Sequence, residues 1–290
     1  MRNGEVSYWW QARGVPPRRP SLPGGTQADV CIVGAGYTGL WTAYYLKRAD
    51  PGLRIIVLEE SFAGFGASGR NGGWVTAALP GSRARYAMHP RGARGVRDLE
   101  RQLRETVDEV ARVCAAEGID AGLVKGGSLS VATSAAQDAR LRRQLEQERA
   151  WGDGPLVVRY LNKDELAERA TVTGATGALY YPDCARVQPA DLVAGLAEVV
   201  TGAGVLLYEG TRVTAIPPEA ERRAKECRDG HGPADEPGHA ESKPDSLGAL
   251  ALHPQLSGNL CVHPPGEQVL LAHGGLCAVI AHAGTPRSAG

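Results

Sequence analysis

Two short apolar runs near the start of the chain, Asp29-Val-Cys-Ile-Val33 and Ile55-Ile-Val-Leu58, are rich in β-branched residues, as expected of strands buried on both faces. Between them, residues 37 to 48 carry Leu, Trp, Ala and Tyr at helical spacing, and Asp50-Pro51-Gly52 supplies a stop. The pattern predicts strand 29 to 33, a helix over about 37 to 48 and strand 54 to 59. Two parallel strands joined by one helix imply a right-handed crossover.

Further along, the period changes. From about Arg91 to Glu117, Leu99, Leu103, Val107, Val110 and Cys114 recur every three or four residues, the stripe of a helix whose apolar face is core. Leu123-Val124 and Leu129-Ser-Val131 flank Gly126-Gly127 and predict an antiparallel pair. Ser134 is placed to cap a helix running to Trp151, and Asn162 with Glu165 resembles a capping box for a short helix. Ala178-Leu-Tyr-Tyr181 reads as another strand. A helix from Ala190 to Thr201 follows, with Leu192, Val193, Leu196, Val199 and Val200 on one side, and it stops at Gly202 and Gly204. Strands Val205 to Tyr208 and Arg212 to Ile216 then return the chain to the first sheet.

Composition alters the picture at both ends. Residues 1 to 28 form an arm rich in Pro and Gly, with little regular structure expected, that Tyr8, Trp9 and Trp10 can pin to the body. From Pro217 to Gly290 there is no Phe, Trp or Tyr, and the segment holds all the histidines except His89. Such a composition buries too little apolar surface to offset the entropy of ordering, so a mostly disordered tail is expected, with one weak apolar segment at Val269 to Ile280.

Lys plus Arg equals Asp plus Glu, at 32 each, so no global field draws in nucleic acid or an anionic membrane. No apolar stretch has the length of a membrane helix and no signal peptide is evident, which points to a cytoplasmic protein. Cys31, Cys114, Cys184, Cys227, Cys261 and Cys277 contain no CxxC and read as isolated reduced thiols. The tail's Cys227, His231, His239, Cys261, His263 and Cys277 lack the paired short spacings of a structural zinc site, so no metal is expected.

The chemistry lies in the turn after the first strand, Gly34-Ala-Gly36-Tyr37-Thr38-Gly39. The first glycine allows a tight strand-to-helix turn, the second lets a pyrophosphate approach the backbone, and the third lets helix and strand pack closely. The helix beginning near Thr38 would direct its unpaired N–H groups and positive end at phosphates. Glu59 ends the second strand, 20 positions after Gly39. Its carboxylate can accept both ribose hydroxyls and would repel the additional phosphate of NADP, which favours FAD or NAD. Close behind comes Gly64-Phe-Gly66-Ala-Ser68-Gly69-Arg70-Asn71-Gly72-Gly73, on the carboxyl edge of the sheet, where Ser68, Arg70 and Asn71 can add hydrogen bonds. A second cradle of this kind implies a large cofactor.

With Tyr8-Trp9, Ala28 to Leu40, Leu58-Glu59 and Gly66 to Gly73, the chain resembles the FAD-dependent amine and amino-acid oxidoreductases of the D-amino-acid oxidase type. It is most similar to their gamma-glutamylputrescine oxidase-like branch, over roughly residues 5 to 216. The resemblance implies that Gly34, Gly36 and Gly39, with Tyr37 and Thr38, bind the FAD pyrophosphate, that Glu59 holds the adenosine ribose, and that Ser68, Arg70, Asn71, Gly72 and Gly73 line the flavin side. It further implies that Val213 holds the adenine through its backbone and that Gln188-Pro189-Ala190 leads into a helix near the flavin. The implied fold class is α/β, a Rossmann-like FAD-binding domain with an incomplete α+β substrate domain inserted, and a disordered C-terminal tail. Its segments are the arm 1–28, FAD-binding residues 29–85, substrate residues 86–185, a return segment 186–216 and the tail 217–290.

The implied reaction oxidises the C–N bond of a small-molecule amine or amino acid. Hydride passes to the flavin, water hydrolyses the resulting imine, and oxygen reoxidises the flavin to give peroxide. No catalytic residue is assigned, since nothing in residues 1 to 216 identifies a base and such a reaction need not have one. His89, between Met88 and Pro90, reads as a surface residue, and Tyr180 and Tyr181 read as strand core. The basic stretch from Arg83 to Arg104 is interleaved with Asp98 and Glu100 and reads as a solvated helix face. Family members normally continue well beyond the point matching Ile216, so a break in the reading frame near Pro217 is expected. Two other readings stand beside the oxidoreductase: a catalytically inert remnant with at most a partial dinucleotide site, and an NAD-dependent dehydrogenase, which leaves the Gly64 to Gly73 stretch unexplained. The sequence assigns no oligomeric state.

Overall fold

The computed structural model describes residues 6–215. Along the chain these form α1 (Tyr8–Arg13), β1 (Val30–Val33), α2 (Tyr37–Ala49), β2 (Ile55–Leu58), β3 (Trp74–Thr76), α3 (Arg83–Tyr86), α4 (Gly92–Ala116), β4 (Val124–Lys125) and β5 (Ser128–Ala132). Then follow α5 (Ala135–Ala150), β6 (Arg159–Asn162), α6 (Lys163–Ala167), β7 (Gly177–Tyr181), β8 (Cys184–Arg186), α7 (Pro189–Gly202) and β9 (Leu206–Tyr208). The aromatic-free tail, its apolar segment Val269 to Ile280 and the break expected near Pro217 lie outside the described residues. Among the described residues no helix is long and apolar enough to cross a membrane. The described residues divide into two compact units: one comprises residues 6–70 together with 193–215, and the other is Asn71–Leu192.

In the first unit the strands form a parallel sheet in the order β1-β2-β9, with Val30 opposite Ile55 and Ile56 opposite Leu206. Val30, Ile32, Ile55, Val57 and Leu58 are enclosed, as parallel strands covered on both faces must be. On one face α2 buries Leu40 and Ala43, and Gly39 lets it approach Ile32. On the other, Ala28, Cys31, Ile56 and Leu58 cluster with Leu22, Tyr208 and Val213. The return to this sheet expected of Val205 to Tyr208 is thus present. Arg212 to Ala215, expected as a further strand, form no regular element, and Val213 contributes an apolar side chain to the cluster instead.

The N-terminal arm is irregular over residues 14–28, as expected, and its one regular element is α1. Ser7 caps α1 by accepting from the Trp10 N–H, and Trp10 is enclosed, its ring edge-on to Phe62 at 5.2 Å between centroids. A six-residue helix is stable here because that indole is buried, not because of local propensity. Tyr8 remains exposed.

The second unit contains two antiparallel sheets, β3-β8-β4 and β5-β7-β6. The strands around Gly126-Gly127 both form, but they do not pair with each other. β4 pairs with β8 and β5 with β7. Gly127, at φ +77°, lies where the two ladders meet and donates its N–H to the Cys184 carbonyl at 2.9 Å; a Cβ there would run into the Tyr180 ring. Ser134 accepts from the Gln137 N–H at the start of α5, and the capping box of Asn162 and Glu165 starts α6. On α4, Val107, Val110 and Cys114 are buried as the stripe requires, Leu99 and Leu103 are half-buried, and Glu100 is buried. That carboxylate is compensated by Arg83, which also reaches Glu148 at 2.5 Å and Asp153 at 2.7 Å. Burial opposes the Arg83 charge, but the hydrogen bond to Glu100 and the charges of Glu148 and Asp153 outweigh it and raise its pKa above the usual guanidinium value.

Candidate cofactor site

The turn between β1 and α2 shows what each of its glycines does. Gly34 has φ +96°, a conformation side chains rarely adopt, and it donates to the Leu58 carbonyl at 2.8 Å as the chain leaves the sheet. A Cβ on Gly39 would collide with the Gly34 carbonyl oxygen and lie 3.2 Å from the Ile32 side chain. A Cβ on Gly36 would stand 2.9 Å from Ser68 Oγ. Gly36 is the N-cap of α2 and offers no side-chain acceptor. Ser68 supplies it, accepting from the Tyr37 N–H at 2.8 Å. Thr38 is exposed on the first turn, its carbonyl accepting from Thr42 Oγ1.

Glu59 stands beside this turn. Its Oε2 accepts from the Ala35 N–H and its Oε1 from the Ser61 N–H, each at 2.9 Å. Two backbone donors fix the carboxylate, and since an ionised carboxylate offers about four acceptor sites, room remains for hydroxyl donors.

The second glycine-rich stretch folds back on the first. Gly64, at φ +81°, donates to the Ala35 carbonyl at 2.9 Å. Trp10 donates its indole N–H to the Gly64 carbonyl at 3.2 Å, Ser7 donates its hydroxyl to the Gly69 carbonyl at 2.7 Å, and a Cβ on Gly69 would run into the indole. Arg70 is held against Phe65, donating from Nε to its carbonyl at 2.6 Å with the guanidinium 4.4 Å above the ring. Gly34, Gly36, Tyr37, Thr38, Gly39, Glu59 and Ser68 are thus brought together. Val213 packs in the apolar cluster of the same unit. Asn71, Gly72 and Gly73 belong to the second unit, where Asn71 Oδ1 accepts from the Gly73 N–H at 2.8 Å and the Gly73 carbonyl accepts from the Val187 N–H at 2.8 Å.

Trp10, expected to pin the arm to the body, does so beneath the second loop, whereas the pair Arg19 and Glu209 was not foreseen. Glu209 is fully buried and accepts from the Arg19 N–H at 2.8 Å, from Arg19 Nη1 at 3.0 Å and from the Ala63 N–H at 3.0 Å. The available signal was its place directly after a strand of the sheet, the place Glu59 also occupies. Arg19, in a Pro-rich arm, carried none. His89 is exposed, and Tyr180 and Tyr181 are half-buried on β7. Burial, with the Glu148 charge adding to it, pushes the Tyr181 phenol up to about 12, and burial alone pushes the Cys31 thiol up to about 12. Among the described residues every buried side-chain nitrogen or oxygen has a hydrogen-bond partner.

Comparison with known proteins agrees with this geometry. Residues 29–239 match the family described as DAO, FAD dependent oxidoreductase. The chain is 34% identical over 192 residues to gamma-glutamylputrescine oxidoreductase of Escherichia coli (strain K12), covering 65% of this chain and 43% of that protein. It is 28% identical over 209 residues to the probable oxidoreductase OrdL of Haemophilus influenzae (strain ATCC 51907 / DSM 11121 / KW20 / Rd), covering 71% and 47%. The crystal structure of glycine oxidase from Geobacillus kaustophilus superposes with a TM-score of 0.52 at 30% identity, covering 65% of this chain and 48% of that one. The chain therefore spans about half the length of the relatives it matches. The glycine turn, the capped start of α2 and the clasped carboxylate fit a dinucleotide, and the family match extends through all three. The chain belongs to the DAO family of FAD-dependent oxidoreductases, with FAD as its cofactor.

Proposed function

We propose that this chain binds FAD along the carboxyl edge of the β1-β2-β9 sheet and serves the oxidation of a small amine or amino acid, with oxygen as electron acceptor. The observation that carries the reading is the fixed Glu59 carboxylate beside the Gly34 to Gly39 turn. Bound there, FAD would supply the acceptor for a hydride leaving the carbon that bears the amine.

The chain's own residues would hold and orient. The backbone of the turn and the first N–H groups of α2 favour a diphosphate, because the helix start carries partial positive charge. Ser68 fills the space beside the bare Cα of Gly36 and accepts from the Tyr37 N–H, so it would fix the start of α2 that faces the diphosphate. Glu59 would accept the ribose hydroxyls of the adenosine half. The expectation that Asn71, Gly72 and Gly73 line the flavin, and that Val213 holds the adenine through its backbone, is part of the same proposal. So is the division into FAD-binding residues 29–85 and 186–216 around substrate residues 86–185. An amine or amino-acid substrate is supported by the activities that the names of gamma-glutamylputrescine oxidoreductase and glycine oxidase describe.

The test is to incubate the purified chain with FAD, desalt it and record its absorbance. Retained flavin bands at ~450 nm that bleach anaerobically with an amine and return with oxygen, accompanied by peroxide, are the expected result. Retention of NAD in place of FAD, or a colourless protein that is folded by circular dichroism, would overturn the reading.

A further inference from the structure

β2 and β9 run side by side with Leu58 opposite Tyr208, so Glu59 and Glu209 leave the sheet together at its carboxyl edge. Their surroundings differ. Glu59 is half-buried and held by the Ala35 and Ser61 N–H groups, whereas Glu209 is 0% exposed and held by Ala63 and Arg19. A carboxylate enclosed to that degree requires a countercharge and hydrogen bonds, and Arg19 provides both from the N-terminal arm.

The backbone around the pair is tied in the same direction. Thr211 donates its N–H to the Glu59 carbonyl at 2.9 Å, and Gly210 donates to the Ser61 carbonyl at 3.1 Å. The arm fastens that strip in turn: Glu209 donates its N–H to the Pro20 carbonyl at 3.3 Å, and Leu22 donates its N–H to Thr211 Oγ1 at 3.0 Å. The stretch from Glu59 to Ala63 is therefore bonded along its length to residues 209–211, and those residues are closed over by Arg19 to Leu22.

We propose that Glu209, neutralised by Arg19, is a positioning residue of the cofactor site. It fixes the 59–63 segment and so aims the Glu59 carboxylate at the adenosine ribose, which makes the N-terminal arm part of that site. The inference rests on the FAD reading above. Arg19 has a second consequence: without it, the Glu209 charge would lie uncompensated one strand away from Glu59 and from an incoming diphosphate.

The experiment compares the full chain with Arg19→Ala and with the milder Glu209→Gln, which keeps the shape and removes the charge. Hydrogen exchange is read on the apo proteins and equilibrium binding is measured with FAD and with ADP, each variant also being made in a Glu59→Gln background. Expected are faster exchange at residues 59–63 and in the arm, and a weakening of about tenfold toward FAD and ADP alike. If the pair acts through Glu59, little or no additional weakening occurs once Glu59 is already Gln. Unchanged exchange at 59–63, or effects that simply multiply with that of Glu59→Gln, overturn the inference. A wild-type chain that binds both ligands while the variants bind equally well overturns the inference alone. A folded wild-type chain that binds neither FAD nor ADP overturns the cofactor reading and this inference with it.

Discussion

Ser68 Oγ lies 2.8 Å from the Tyr37 amide nitrogen, so the helix that follows the glycine turn is capped by a residue 31 positions away. Gly36, at the N-cap, makes this possible, because a side chain there would press against the same hydroxyl. Loop and helix start are therefore one structural object. Ser68→Ala removes the cap and is expected to lower the stability of the apo protein by about 1 kcal/mol, with Ser68→Thr retaining most of it. Denaturant unfolding measures the difference; equal midpoints for Ser68→Ala and wild type would show that the cap contributes nothing.

Gly39→Ala tests the close packing of α2 on β1. The added methyl would meet the Gly34 carbonyl, which is backbone and can move only by shifting the turn. A loss of about 1–3 kcal/mol is expected, together with weakened FAD retention, since the same turn must present its N–H groups. Gly154→Ala, where a Cβ meets nothing within 4 Å, serves as the neutral comparison.

Removing Arg83 should be among the most damaging single changes in the second unit. It leaves Glu100, which is 5% exposed, without its countercharge, and it unties Glu148 and Asp153. Arg83→Met is expected to cost about 3–5 kcal/mol, and Glu100→Gln in that background to recover part of it by removing the buried charge. Urea midpoints of the two single variants and the double variant form the cycle; strictly additive losses would contradict a shared cluster.

Alkaline pH should loosen both units through groups whose ionisation is suppressed by folding. Burial chiefly, and then Glu148, raises Tyr181 from 10.0 to about 12, and burial raises Cys31 from 9.0 to about 12. Below the unfolded-state values neither group opposes folding. As pH rises, the unfolded chain releases these protons first, so stability falls from about pH 9 for Cys31 and from about pH 10 for Tyr181, and continues to fall through about 12. Tyr181→Phe and Cys31→Ala should each flatten their part of the decline in unfolding midpoints. A wild-type profile that stays level between pH 9 and 12 would refute the assignment.

What is local in the chain was legible from the amino acids alone. The β1-α2-β2 unit, the glycine turn, Glu59 at the strand end, the Ser134 cap and the Asn162 and Glu165 capping box all depend on residues within a few positions of one another or on a fixed helical or extended period. Tertiary structure decided the rest. β4 and β5 alternate as a hairpin should, but their partners are β8 and β7, because strand pairing depends on which edges meet and not on period. The arm became helical at Tyr8–Arg13 because Trp10 found a cavity beside Phe62 and Gly64, more than fifty positions away. Arg212 to Ala215 lost their strand, and Val213 went to an apolar cluster. The largest omission concerns charge. Composition places Glu and Arg at the surface, and only the folded chain brings Arg19 to Glu209 and Arg83 to Glu100, where burial is tolerable because each carboxylate meets a countercharge and hydrogen-bond donors.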